Sequence, residues 1–167
     1  VHLHLDLIAG LPGEGLESFG AGFDAVAAMS SQEIQVGILK RLKGMPLVRH
    51  DAEWKMVYQE APPFTVVRTG GLAFDELQGL QRFAKFWDLF SNSGNFMASM
   101  ALILEAAARE GSVFRRFWDF SGFLAARHPQ GHGIALITQA ESMWRYLVDK
   151  LDFGGATARD DFVHDFW

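Results

Sequence analysis

The chain has 167 residues, 49% hydrophobic and 13% aromatic, enough to bury a core in one ordinary domain or two small ones. Its 15 basic and 20 acidic residues leave a net charge of −5 without a basic stripe, which argues against a nucleic-acid partner. No apolar run reaches the length of a membrane span, and the absence of cysteine excludes disulfides.

The first stretch, Val1-His-Leu-His-Leu-Asp-Leu-Ile-Ala-Gly-Leu-Pro-Gly-Glu14, is mostly apolar to Ala9 and then broken by Gly10, Pro12 and Gly13. It is too short for a lone helix and reads as a buried strand entering a tight loop. Alternation places Val1, Leu3, Leu5, Leu7 and Ala9 on one face and His2, His4, Asp6 and Ile8 on the other. Leu16, Phe19, Phe23 and Val26 then fall at helical spacing, which predicts an amphipathic helix from Leu16 to about Met29. Ile34, Val36 and Ile38 alternate with Gln35, Gly37 and Leu39 in a second strand. Strand, helix and strand at this spacing make a βαβ unit with parallel strands.

Gly44 and Pro46 break a basic loop from Arg41, and a short helix over Leu47 to Trp54 and an extended piece over Met56 to Tyr58 follow. Pro62-Pro63 is a hard stop and marks the expected domain boundary, near residue 60. Phe64 to Arg68 is rich in β-formers, and Thr69-Gly70-Gly71 is a turn. From Phe74 the pattern becomes helical. Four stripes follow, led by Leu77, Leu80 and Phe83, by Phe96, Met100 and Ile103, by Phe114, Phe117 and Leu124, and by Ile137, Trp144 and Leu147. A short last helix is expected over 156–167. The fold class is therefore α/β: a partial (βα) barrel remnant with parallel strands over residues 1–60, then a mainly α-helical C-terminal domain over 61–167.

Asp6-Leu-Ile-Ala-Gly-Leu-Pro-Gly-Glu14 resembles the fifth barrel strand and following loop of radical S-adenosylmethionine (SAM) enzymes. Glu33-Ile-Gln-Val-Gly-Ile-Leu-Lys-Arg-Leu-Lys-Gly-Met-Pro-Leu47 is similar to that family's sixth strand and its Gly-x-Pro turn. Ala61-Pro-Pro-Phe64 and Asn92-Ser-Gly-Asn-Phe96 resemble the C-terminal extension of members that carry an N-terminal cobalamin-binding domain. The resemblance implies a cytoplasmic parent enzyme in which a 4Fe–4S cluster cleaves SAM and the resulting radical abstracts a substrate hydrogen. It implies that Asp6, Ile8, Gly10, Pro12, Gly13, Glu14, Ile38 and Leu39 lie along bound SAM, with Ile8 on the adenine. It also implies that Gly10→Val would harm SAM cleavage more than stability. The cluster needs three thiolates, and this chain has none. The chain thus reads as a piece of a longer protein, inactive alone, whose partner is the rest of the parent and whose opened strand edge favours self-association.

Other readings stand beside this one. The glycine loop is also what any strand-to-helix turn requires, and the second strand also fits a plain core. His2 and His4 on one strand face suit a metal-hydrolase barrel, although imidazoles hydrogen-bonded within the barrel explain them more simply. Arg41, Lys43 and Arg49 suit either an anionic group or solvent. His128 and His132 are separated by Pro129 and Gly131, which rules out a helical metal pair. Asp160, Asp161, His164 and Asp165 suit a cation or a solvated helix. The aromatic run from Phe83 to Phe123 suits a flat ligand or core packing, and a helical protein-interaction module remains the non-catalytic alternative.

Overall fold

The computed structural model describes residues 4–29 and 33–153. Two compact units divide the chain, Val1–Ala84 and Lys85–Trp167. The fold is mixed α/β, with a short parallel sheet early and a mainly helical C-terminal region.

In the first unit, β1 (His4–Ala9), α1 (Leu16–Ala27) and β2 (Glu33–Ile38) form the expected βαβ unit. The strands are parallel and in register from His4 opposite Glu33 to Ala9 opposite Ile38. Helix α1 packs on β1, and Phe19 and Phe23 are buried. The Ser18 hydroxyl starts the helix by accepting from the Gly15 amide at 2.9 Å and donating to the Gly15 carbonyl at 3.0 Å. The first bond satisfies the Gly15 amide, which has no partner within the helix, while the Gly15 carbonyl also accepts from the Phe19 amide at 3.0 Å.

Beyond Ile38 the chain stays extended. Leu39 N–H donates to the Ala9 carbonyl at 2.9 Å, and the Leu39 carbonyl accepts from Val66 N–H at 2.9 Å. An antiparallel bridge joins Lys40 to Thr65. Strands β3 (Val57–Tyr58) and β4 (Val66–Arg68) pair antiparallel with a register shift, so β4 joins the end of β2 to β3. Pro62-Pro63, a hard stop in the sequence, lies in the connection of this hairpin, and residues on both sides of 60 belong to one compact unit. The expected helix over 47–54 is a short 3-10 helix, Pro46–His50, followed by turns.

Helix α2 (Phe74–Trp87) begins where the Ala73 amide donates to the Glu76 carboxylate at 2.7 Å. It runs across the division between units and ends in one turn of π-helix, Asp88–Asn92. In the second unit α3 (Met97–Glu110) is closed by Gly111 in the left-handed region, φ 81°. Ser112 caps α4 (Val113–Arg127) by accepting from the Arg115 amide at 3.1 Å, and α5 (Leu136–Leu151) follows. The core of this unit is aromatic. Phe90 meets Phe96 and Phe120 with centroids at 4.9 and 5.2 Å, Trp87 meets Phe117 at 4.9 Å, and Phe120 meets Tyr146 at 4.6 Å. These tilted and edge-to-face contacts fill the interior. The expected helix over 156–167, with Asp160, Asp161, His164 and Asp165, lies outside the described residues.

Candidate functional site

The turn after β1 is built from inside. Gly10 has φ +92° and Gly13 φ +82°, which side chains rarely adopt. A Cβ on Gly10 would stand 2.6 Å from Val66 Cγ1 and 3.4 Å from Leu77 Cδ2, and one on Gly13 would stand 3.3 Å from the Trp54 indole. Glu14 closes the turn. Its amide donates to the Leu11 carbonyl at 3.2 Å and its carboxylate accepts from the Gly10 amide at 2.9 Å. Burial pushes the Glu14 carboxyl above its ordinary range, and the Gly10 and Leu11 amides offset part of that.

Thr69-Gly70-Gly71 braces the turn from the other side. The Gly70 amide donates to the Trp54 carbonyl at 2.5 Å. A Cβ on Gly71 would stand 2.4 Å from the Glu14 carbonyl oxygen, so only glycine permits this approach. The Thr69 hydroxyl accepts from the Gly71 and Leu72 amides at 3.1 and 2.9 Å. Trp54, Val66 and Gly71 were missed as site residues in the sequence. The Gly-Gly pair was the available signal, because adjacent glycines often mark close backbone approach.

The eight residues expected along SAM differ in exposure. Asp6 and Ile8 are exposed on the open face of the sheet, with Ile8 at 48% exposure and opposite Gly37. Gly10 and Leu39 are buried, while Pro12, Glu14 and Ile38 are half-buried. Gly13 is exposed and held over Trp54. At Gly10 the absent side chain makes room for Val66, and the amide already serves Glu14. Gly10→Val therefore strikes packing and backbone conformation, so it should cost stability.

His4 shares the open face. Its Nδ1 lies 3.1 Å from a Glu33 carboxylate oxygen and its Nε2 3.2 Å from one of Asp6. These bonds, Glu33's first and then Asp6's, hold its pKa above the ordinary 6.5. His2 lies outside the described residues. Among the described residues, no group of three or more His, Cys, Asp or Glu is placed to hold a metal ion. His128 Nε2 bonds the Ser142 hydroxyl at 2.7 Å, a link from the end of α4 to α5. Arg41 pairs with Asp51 at 3.0 Å, and Arg49 donates to His50 at 3.1 Å. Met97, Leu104, Leu136 and Ile137 are exposed on the helical unit. No helix among the described residues is long and apolar enough to cross a membrane.

Residues 52–162 match the model of a family described as "Protein of unknown function (DUF4080)". The chain belongs to this family. Trp54, Val66, Gly70 and Gly71, which brace the glycine turn, fall inside the DUF4080 match, while Gly10 to Glu14 precede it. No curated protein matches the chain.

Proposed function

We propose that residues 1–60 are part of the SAM-binding wall of a radical SAM enzyme, and that the helical region caps its C-terminal side. The observation that carries this is the open face of the parallel pair, which ends in a turn fixed by Glu14, Trp54 and Gly71. Ile8 offers exposed apolar surface for a flat ring, and Gly37 beside it leaves backbone accessible. Asp6 offers an exposed carboxylate. SAM would supply a cleavable sulfonium, and these residues would bind and orient it. A 4Fe–4S cluster does not fit this chain, whose donor set lacks thiolates. In this reading the cluster, and a cobalamin domain if the parent has one, belong to other parts of the parent.

The test uses the full-length parent, reconstituted anaerobically with iron and sulfide. It should carry a Cys-x3-Cys-x2-Cys motif and release 5′-deoxyadenosine from SAM under reductant. Ile8→Asp should weaken SAM binding roughly tenfold or more, since burying an isoleucine is worth about 1.5–3 kcal/mol. Its thermal midpoint should barely move, because exposed substitutions change stability by only about 0.5 kcal/mol. A parent without the three cysteines, or one that leaves SAM intact, would sink the reading.

A further inference from the structure

A cavity of ≈ 630 Å³ opens beyond the end of β2, on the side of the β3–β4 hairpin. That volume is in the range of small-molecule sites, about 300–1,000 Å³. Its wall is unusually apolar for exposed surface. Leu42, Val48, Val57 and Phe64 line it with exposures of 64%, 41%, 39% and 40%. They are four of the twelve exposed large hydrophobic residues among those described, gathered on one concavity. Phe64 has φ 57°, an uncommon conformation for a bulky residue, and its backbone is held by bonds to Ala61 and Arg41.

The polar groups are unevenly engaged. Asp51 accepts from the Tyr58 hydroxyl at 3.2 Å and pairs with Arg41 at 3.0 Å, and the Arg41 guanidinium lies 5.3 Å from the Tyr58 ring centroid. Arg41 is therefore already neutralised and braced. Lys43 also lines the cavity, and makes no ion pair among the described residues. Glu60 is the acidic group of the lining.

We propose that this cavity binds a small amphipathic anion, its apolar body on Leu42, Val48, Val57 and Phe64 and its carboxylate or phosphate head at Lys43. The apolar body supplies most of the affinity, because each buried methylene is worth about fourfold in binding. The head group sets selectivity, with Lys43 attracting it and Glu60 opposing it. The lining shares none of the eight residues expected along SAM, so either reading can fail alone.

Calorimetric titration of the full chain with decanoate, decyl phosphate and decanol tests this. Both anions should bind more tightly than decanol, and the tighter of the two identifies the head group. Lys43→Gln should weaken the anions about threefold, and Glu60→Gln should tighten them about twofold, in line with exposed charge pairs. Leu42→Asp should cost at least tenfold. Circular dichroism checks that each variant is folded; these side chains are on the surface. Decanol binding as well as the anions, no change of affinity in folded Lys43→Gln, or no binding of either anion would overturn the proposal.

Discussion

Gly10 shows how a residue conspicuous in sequence acquires its reason only in three dimensions. The break after Ala9 was legible, since Gly, Pro and Gly cannot continue a strand. What the glycine makes room for was not, because Val66 lies far along the chain. Two costs should separate experimentally. Gly10→Ala should destabilise the chain by about 2–4 kcal/mol: about 1–2 for the left-handed backbone and the rest for overpacking against Val66. In a Val66→Ala background the second part should vanish, leaving about 1–2 kcal/mol. Chemical denaturation of the four proteins in this double-mutant cycle measures the coupling. Additive costs would mean that Val66 is not what excludes a side chain at Gly10.

At the scale of elements, periodicity carried far. The alternation in β1 separated its two faces, and the four apolar stripes fall on α2 to α5 in order. Local patterns do not encode partners distant in sequence, so the antiparallel join of β4 to the end of β2 was illegible. The same holds between α4 and α5. Tyr146 is fully buried on α5, yet its hydroxyl donates to Asp119 at 2.9 Å and accepts from Arg116 at 3.2 Å, both on α4. Arg116 also pairs with Glu110. Burial, the largest cause, pushes the Tyr146 pKa to about 12. The folded state therefore favours the neutral phenol. That contribution is fully present below the unfolded value of 10.0 and is lost as pH rises toward about 12. Burial raises Tyr58, the other tyrosine, as well. At pH 10 the native chain should show far less phenolate absorbance than the urea-unfolded chain, and Tyr146→Phe should flatten the fall in stability between pH 10 and 12. Coincident native and unfolded titrations would rule out the buried network.

For the whole molecule, the division at Ala84 was hidden because α2 crosses it as one unbroken helix, whereas Pro62-Pro63 was the loudest break in the sequence. The DUF4080 match likewise spans both units. Self-association turns on β1. Its leucine side is partly covered, since α1 packs on β1 and Leu5 and Leu7 are half-buried. What remains is the strand edge. The Ala9 carbonyl accepts from Leu39, so Ala9 turns its backbone groups toward β2, and Leu5 and Leu7 share that direction by the two-residue repeat. His4, Asp6 and Ile8 point theirs the other way, where no strand pairs with β1 among the described residues. Such an edge is a template for a second copy, and a two-fold axis would pair β1 antiparallel with its mate. Light scattering at low micromolar concentration should report a dimer. Asp6→Pro removes one outward amide and none that faces β2, so it should yield a folded monomer, as proline is tolerated on edge strands. A wild-type monomer would exclude edge pairing, and a dimer that survives Asp6→Pro would move the contact from the edge to the open face bearing His4 and Ile8.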